Sequence, residues 1–226
     1  MKIAITGASG RLGHHVVKLA LKDSHEVVAM VRNPDAYSEA KKDLIAEDGN
    51  IVEIAAVNLY DADSMVAHLN EVDAILVCHG PVGSKNLWKC TIFTETMPEI
   101  VKAAEAAGVK RIVYASTWCS EARPGNPFLT EWVIKPLLLG AVFRDHRNAE
   151  VYLEEKADSI EYTTVRAPIL EDAESEGKEI MFAEGLMWLP GSLKKIPRGD
   201  VAKYMLKCVT QQLHANRDVA IGLKGF

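Results

Sequence analysis

The 226-residue chain is 48% hydrophobic and 25% charged, with a formal net charge of −5. A mildly acidic balance lacks the electrostatic footprint of a nucleic-acid binder. The longest apolar run, 132–143, is broken by Lys135 and Pro136 and is too short to span a bilayer. This length suits one α/β domain burying roughly 70–75% of its unfolded surface.

The chain opens MKIAITGASGRLGH. Residues 2–6 carry two β-branched isoleucines and stop at glycine, which reads as a buried strand. Gly7, Gly10 and Gly13 follow at three-residue spacing, and then Val16, Val17, Ala20 and Leu21 recur at helical spacing. Strand, glycine turn and helix in that order form a dinucleotide-binding turn. Glycines let backbone amides approach a pyrophosphate, and the helix N-terminus meets that anion with unpaired donors and partial positive charge. Residues 26–31 (EVVAMV) are a second strand, ended by Arg32-Asn33-Pro34, and Pro34 starts a polar helix running to about residue 46. A third strand spans 50–56, and Asp61 is expected to cap a short helix toward Leu69. Further strands fall at 73–78, 110–116 and 160–166, with a helix at 97–107 closed by Gly108. A helix over 199–211 and a strand near 218–221 complete the pattern. Alternating short apolar strands and helices predict a doubly wound, mostly parallel sheet covered on both faces, a single Rossmann-type α/β domain over 1–226.

Three stretches break the alternation, at about 80–94, 120–148 and 170–197, and each follows the carboxyl end of a strand. Ligands of open parallel sheets bind in the crevice outside those ends. The stretches carry Trp88, Trp132, Trp188 and Phe128, and Trp118 stands just before the second of them. Trp88, Trp118, Phe128 and Trp188 are the expected walls of a flat substrate pocket. Cys78, Cys90, Cys119 and Cys208 show no paired motif, no metal-ligand spacing is present, and the first strand starts at residue 2. Free thiols, no metal and a cytoplasmic chain are therefore expected.

Where an NAD enzyme keeps an acid at the end of the second strand, this chain has Arg32. A guanidinium fork suits a ribose 2′-phosphate, and Arg11 in the glycine turn adds to it, so NADP(H) is the expected cofactor.

The segments TGASGRLG, VVAMVRNP, DAILVCHG, KRIVYAST and EYTTVRAP, in this order, resemble the atypical short-chain dehydrogenase/reductase superfamily. The closest likeness is to NmrA-like NAD(P)-binding proteins and the biliverdin-IXβ reductase/flavin reductase group. It extends into the late helix PRGDVAKYMLKCV. The resemblance implies that Gly7, Ser9, Gly10, Arg11, Leu12 and Gly13 form the pyrophosphate turn and Arg32 meets the 2′-phosphate. Asn58 and Leu59 stand where the family has an Asp and an apolar residue beside adenine. Cys78, His79 and Gly80 match the segment passing the nicotinamide ribose. Ser116 and Thr117 match the serine segment near the nicotinamide, and Pro168 and Ile169 match the segment bordering its carboxamide. Ile169 departs from the histidine that follows this proline in biliverdin-IXβ reductases.

Tyr152 and Lys156 have the spacing of the superfamily's Tyr-x-x-x-Lys acid, but Tyr152 lies ten residues before Tyr162, near the end of its helix. Apolar neighbours Ala149 and Leu153 mark it as core-facing rather than catalytic. Ser116 and His79 remain as the candidate catalytic residues, Ser116 by orientation and His79 as the one nearby group titrating near neutral pH. Hydride transfer from the cofactor to a planar conjugated acceptor, a flavin, bilin or quinone-like ring, needs no strong protein acid. A redox regulator that binds cofactor without turnover, and an isomerase or epimerase with bound cofactor, stay open beside this reductase. The expected partner is a small aromatic or conjugated substrate, with no nucleic acid and no membrane, and the chain is a monomer or weak dimer.

Overall fold

The first strand is β1 (Lys2–Thr6), and its side chains divide by parity. Ile3 and Ile5 enter one apolar cluster and Ala4 the other. The same division separates Val27, Ala29 and Val31 from Val28 and Met30 in β2 (Glu26–Val31). Successive side chains of a strand point to opposite faces. A strand apolar at every position must therefore be covered on both sides.

The computed structural model describes residues 1–40, 51–81 and 88–225. After β1 come α1 (Arg11–Lys22), β2, α2 (Pro34–Ala40), β3 (Ile51–Ala56), α3 (Asp63–Val66) and β4 (Ala74–Val77). Next are α4 (Ile92–Ala107), β5 (Arg111–Thr117), a π-helix (Thr130–Leu139), α5 (Gly140–Glu155) and β6 (Glu161–Ala167). The chain ends with β7 (Ile169–Glu171), β8 (Ile180–Glu184), β9 (Lys195–Pro197), α6 (Arg198–Thr210) and β10 (Arg217–Leu223). The sheet order is β3-β2-β1-β4-β5-β6-β10-β8, parallel throughout except for the antiparallel β10–β8 pair. The order reverses at β1, so a crevice opens between β1 and β4 at their carboxyl ends. One core packs β1, β2 and β10 against α1 and α6, with Val16, Val17, Val201 and Met205 buried. The other packs the opposite sheet face against α3, α4 and α5, with Met65, Met97, Ile100 and Leu153 buried.

Four expectations change. The expected helix at 97–107 begins at Ile92 and holds Pro98 inside it. Its N-terminus is satisfied from far away: Asp145 accepts from the Phe93 amide at 3.0 Å and the Thr94 amide at 2.7 Å. Asp61 Oδ1 does accept from the first amide of α3, that of Asp63, at 3.1 Å, but the helix is a single turn that stops at Val66 rather than running toward Leu69. The 120–148 stretch contains the π-helix and the start of α5, and the 170–197 stretch supplies β8, which extends the sheet past β10. The last strand runs through residues 217–223 rather than 218–221 because β8 pairs along its full second half. The expected helix residues 41–46, the strand start at residue 50 and residues 82–87 of the first long stretch lie outside the described residues.

Gly108 closes α4 as expected, at φ 77° with open space where a Cβ would stand. A side chain there meets no clash and only the left-handed backbone penalty. Gly108→Ala is expected to cost about 1 kcal/mol and lower Tm by about 2–4 °C in a thermal melt, with cofactor affinity unchanged.

Candidate active site

The glycine turn is built for backbone contact. Gly7 stands at φ 65°, and a Cβ there would fall 2.6 Å from the His79 Cα. A Cβ on Gly13 would fall 2.2 Å from the Gly7 carbonyl oxygen. The Gly10 amide donates to that same oxygen at 2.8 Å, which closes the turn. Gly10 is also the N-cap of α1, where no side chain caps the helix and no acid occupies the first turn. Ser9, Gly10 and Arg11 are exposed, while Leu12 anchors the turn in the core. Amides without a capping partner, at the carboxyl edge of the sheet, fit a diphosphate. Arg198, at the start of α6, adds to this end: burial first and the nearby Arg11 charge second depress its ionisation.

Arg32 follows β2 and is exposed, and no Arg32–Asp35 ion pair occurs among the described residues. Asn33 Oδ1 accepts from the Ala36 amide at 3.1 Å, so the neighbouring side chain starts α2 and leaves Arg32 outside it. Asn58 is exposed, and its Oδ1 accepts from the Tyr60 amide at 3.2 Å, beside a half-buried Leu59.

Cys78, His79 and Gly80 follow β4. The Cys78 thiol is buried and its pKa is raised by that burial. His79 is tied on both ring nitrogens, Nδ1 to Thr6 Oγ1 at 3.0 Å and Nε2 to Thr96 Oγ1 at 2.9 Å. Thr96 donates its own proton to the Ile92 carbonyl at 2.6 Å. Its oxygen therefore accepts from the imidazole, which assigns the proton to Nε2 and leaves Nδ1 accepting from Thr6. Burial first, and the neighbouring His146 second, lower the His79 pKa to about 4. His79 is thus a neutral, fixed ring behind the glycine turn, and at neutral pH it lacks the imidazolium proton an acid would release, its one N–H being held by Thr96.

Ser116 is 7% exposed near the end of β5 and donates to Glu150 Oε1 at 2.5 Å. Glu150, fully buried on α5, also accepts from Ser120 Oγ at 2.8 Å and from Arg166 Nη2 at 2.8 Å and Nε at 3.2 Å. Arg166, 1% exposed on β6, turns its Nη2 to Asp218 Oδ2 at 2.6 Å and its Nη1 to the Leu186 carbonyl. Burial pushes the Glu150 carboxyl up, but the Arg166 charge and the hydrogen bonds to it prevail and hold it below the usual carboxylate range. Asp218 moves the other way, raised by burial to about 6 against the pull of Arg166. Beside this network Tyr114 Oη lies 2.6 Å from His146 Nδ1, and burial lowers the His146 pKa to about 4. Sequence reading missed Glu150 and Arg166. The available signal was Arg166 itself, a charge inside the buried strand EYTTVRA, which demands a partner.

The expected pocket aromatics separate into two groups. Trp118 and Trp188 pack edge to face at 6.3 Å and donate to the Ile221 and Gly125 carbonyls, so they fasten loops to the sheet. Trp88, 66% exposed, lines a cavity between the first and second long stretches. Phe128, 73% exposed, stacks on Trp132 on the outer side of the π-helix region. Thr117 is half-buried beside Ser116, Pro168 is buried, and Ile169 is exposed at the start of β7. Tyr152 packs at the edge of the second core with Lys156 Nζ 5.8 Å from its ring. Two residues beyond Glu150, it points about 200° away around the helix.

The model of the NAD(P)H-binding family matches residues 7–212. The chain belongs to that family. It is 27% identical to quinone oxidoreductase 2 of Escherichia coli K12 over 251 aligned positions, covering 98% of this chain and 81% of that protein. Among solved structures, an oxidoreductase from Lactococcus lactis superposes with TM-score 0.76 at 22% identity, covering 99% of this chain and 91% of that one. ChuY, an anaerobilin reductase of Escherichia coli O157:H7, superposes with TM-score 0.71 at 19% identity, covering 100% and 98%. At these identities the structural likeness is one of fold. The uncapped amides and the Cβ-free cradle of the glycine turn fit the diphosphate of such a cofactor. Among the described residues no helix is long and apolar enough to cross a membrane, and all four cysteines are unpaired and buried.

The two histidines set an acid limit. Each is neutral in the fold with a pKa of about 4, below the ordinary 6.5. Between those values the unfolded chain binds more protons at these two sites than the native one, so their contribution falls as pH drops from 6.5 toward 4, while Asp218, raised to about 6, has the opposite sign below pH 6 and offsets about one histidine there. The slope is at most about 1.4 kcal/mol per pH unit for each histidine. Glu150, with its pKa below the ordinary 4.5, begins to lose its contribution only as pH falls through 4.5. Denaturant melts from pH 7 to 5 are expected to show this decline, flattened in a His79→Gln, His146→Gln double variant. An unchanged slope in that variant would assign the acid sensitivity elsewhere.

Proposed function

We propose that this chain is an NADP(H)-dependent oxidoreductase that transfers hydride to a planar conjugated acceptor, a flavin, bilin or quinone-like ring. The observation that carries the reading is the state of Ser116. Its proton is committed to the ionised Glu150 at 2.5 Å, so its oxygen offers lone pairs and can accept, but it has no proton to give. His79 is neutral with both nitrogens engaged, and Tyr152 packs against the core on another side of α5. None of these three candidates offers a positioned acidic proton. An electron-poor conjugated ring can accept hydride and take its proton from solvent, whereas an isolated carbonyl benefits strongly from a positioned acid.

NAD(P)H, when bound, supplies the hydride. The work of the protein is then to hold and orient. The amides after Gly10, with Arg11 and Arg198 nearby, bind the diphosphate, and Arg32 receives the 2′-phosphate. Asn58 and Leu59 border the adenine, and Cys78, His79 and Gly80 border the nicotinamide ribose. Ser116 orients the carboxamide by accepting a hydrogen bond, with Thr117, Pro168 and Ile169 alongside. Trp88, which lines the cavity beside these strand ends, is the proposed substrate-side aromatic, while Trp118, Phe128 and Trp188 are engaged in packing. The names of the E. coli relatives, a quinone oxidoreductase and an anaerobilin reductase, support an acceptor of this class.

Steady oxidation of NADPH in the presence of menadione or FMN, followed by absorbance, tests the reading. Measurable turnover with at least one is expected, and cofactor binding without turnover of any conjugated acceptor would favour a regulator. NADPH is expected to bind about ten- to a hundredfold more tightly than NADH, with Arg32→Ala removing most of the difference.

The two serine and tyrosine candidates separate in kcat/KM. Tyr152→Phe is expected to lower it less than about tenfold, against the hundred- to ten-thousandfold of a lost general acid. Ser116→Ala is expected to lower it more than Tyr152→Phe while leaving the pH profile in place. The reverse order in two stably folded variants would restore the tyrosine–lysine pair as the catalytic centre.

A further inference from the structure

A cavity of 480 Å³ lies beyond the carboxyl ends of β4 and β5. Trp88 and Phe143 give it flat apolar surface, and Glu131, Lys135 and Arg144 give it charge. Ser120 also lines it. That hydroxyl donates to Glu150 Oε2, while Ser116 holds Oε1 of the same carboxylate. The cavity and the serine at the end of β5 are therefore joined through one fixed group.

The charges in the cavity do not cancel. Glu131 Oε1 accepts from Lys135 Nζ at 2.5 Å and from Asn126 Nδ2 at 2.6 Å. This pair is largely enclosed, with side chains 17% and 13% exposed. Lys135 Nζ also lies 5.5 Å from the Phe143 ring centroid. Its position is set by the π-helix: a Cβ on Gly140 would fall 2.6 Å from the Lys135 carbonyl oxygen, so glycine is needed where that helix passes into α5. Arg144, one turn further along, is exposed and has no hydrogen bond or ion pair among the described residues. The described lining residues thus carry one net positive charge on a chain whose own net charge is −5. A flat apolar surface beside an uncompensated guanidinium suits a planar molecule with an anionic substituent.

We infer that this cavity receives the acceptor and selects one whose conjugated body carries a phosphate or carboxylate, with Arg144 as the group that reads the anion. The inference rests on the reductase reading for the word acceptor, and on the cavity alone for the anion.

Two matched pairs of probes test it, titrated calorimetrically into the whole chain saturated with NADP⁺ so that the cofactor site is filled. FMN and riboflavin share one ring system and differ by a phosphate; biliverdin and its dimethyl ester differ by two carboxylate charges. The anionic member of at least one pair is expected to bind about tenfold more tightly, the value of one charge-assisted contact. The pair that responds identifies the anion. Arg144→Gln is expected to reduce that ratio to less than about threefold, and Glu131→Gln, which releases Lys135, to increase it. Equal affinities within both pairs, or a ratio untouched by Arg144→Gln, would overturn the inference. NADPH oxidation with the same four compounds keeps the two readings apart. Selective binding with no reduction of any of them leaves the anion site standing and removes the reductase. Reduction with no preference in either pair does the opposite.

Discussion

Glu150 and Arg166 form an ion pair that water does not reach. Removing two charges from solvent costs several kcal/mol per ion, and the attraction repays it only with good geometry and further hydrogen bonds. Here the guanidinium meets Glu150 through two nitrogens and also reaches Asp218 and the Leu186 carbonyl, while Glu150 takes two serine hydroxyls besides. The partners come from β5, β6, β10, α5 and the loop after β8. Such a pair is weak evidence for stability in itself, but removing one side leaves a buried charge with a single remaining counter-ion, Asp218 for Arg166 or Arg147 for Glu150, which is strongly destabilising. Its consequence is geometric: the orientation of Ser116 and of Ser120 is decided by a residue on the sheet-facing side of α5.

The site follows from the sheet. Parallel strands put their carboxyl ends on one edge, and the reversal of order leaves a crevice there because β1 leads to β2 on one side and β4 to β5 on the other. The glycine turn stands at that gap because β1 is central and α1 begins directly after it. His79, at the end of the neighbouring strand, backs the turn so closely that Gly7 cannot carry a side chain. The two long stretches after β4 and β5 then bring Trp88 and the π-helix to the same edge.

Features written in adjacent residues were legible in the sequence. The parity of Ile3, Ala4 and Ile5, the spacing of Gly7, Gly10 and Gly13, and Gly108 after an apolar helix face each state their structure locally. The family and its cofactor class followed from these. Features joined across the chain were not legible. Asp145 caps α4 from 52 positions away, so the helix start could not be read from residues 88–97. Glu150 sits between apolar Ala149 and Leu153 in a helix, where a carboxylate reads as solvent-facing, and its partner is 16 positions on in another element. Two of the four tryptophans went to packing because their indole N–H groups found backbone carbonyls to satisfy, a matter of tertiary position.

The ten-residue π-helix over Thr130–Leu139 has a pitch that an insertion produces and a deletion removes. Loss of one residue within it would restore ordinary helical pitch and swing Glu131 by about 100° relative to α5, while β5, β6 and the Glu150–Arg166 pair stayed where they are. One wall of the cavity can thus be re-aimed by a single codon without disturbing the sheet that carries the glycine turn. Descendants of such a chain could exchange acceptors while keeping their cofactor.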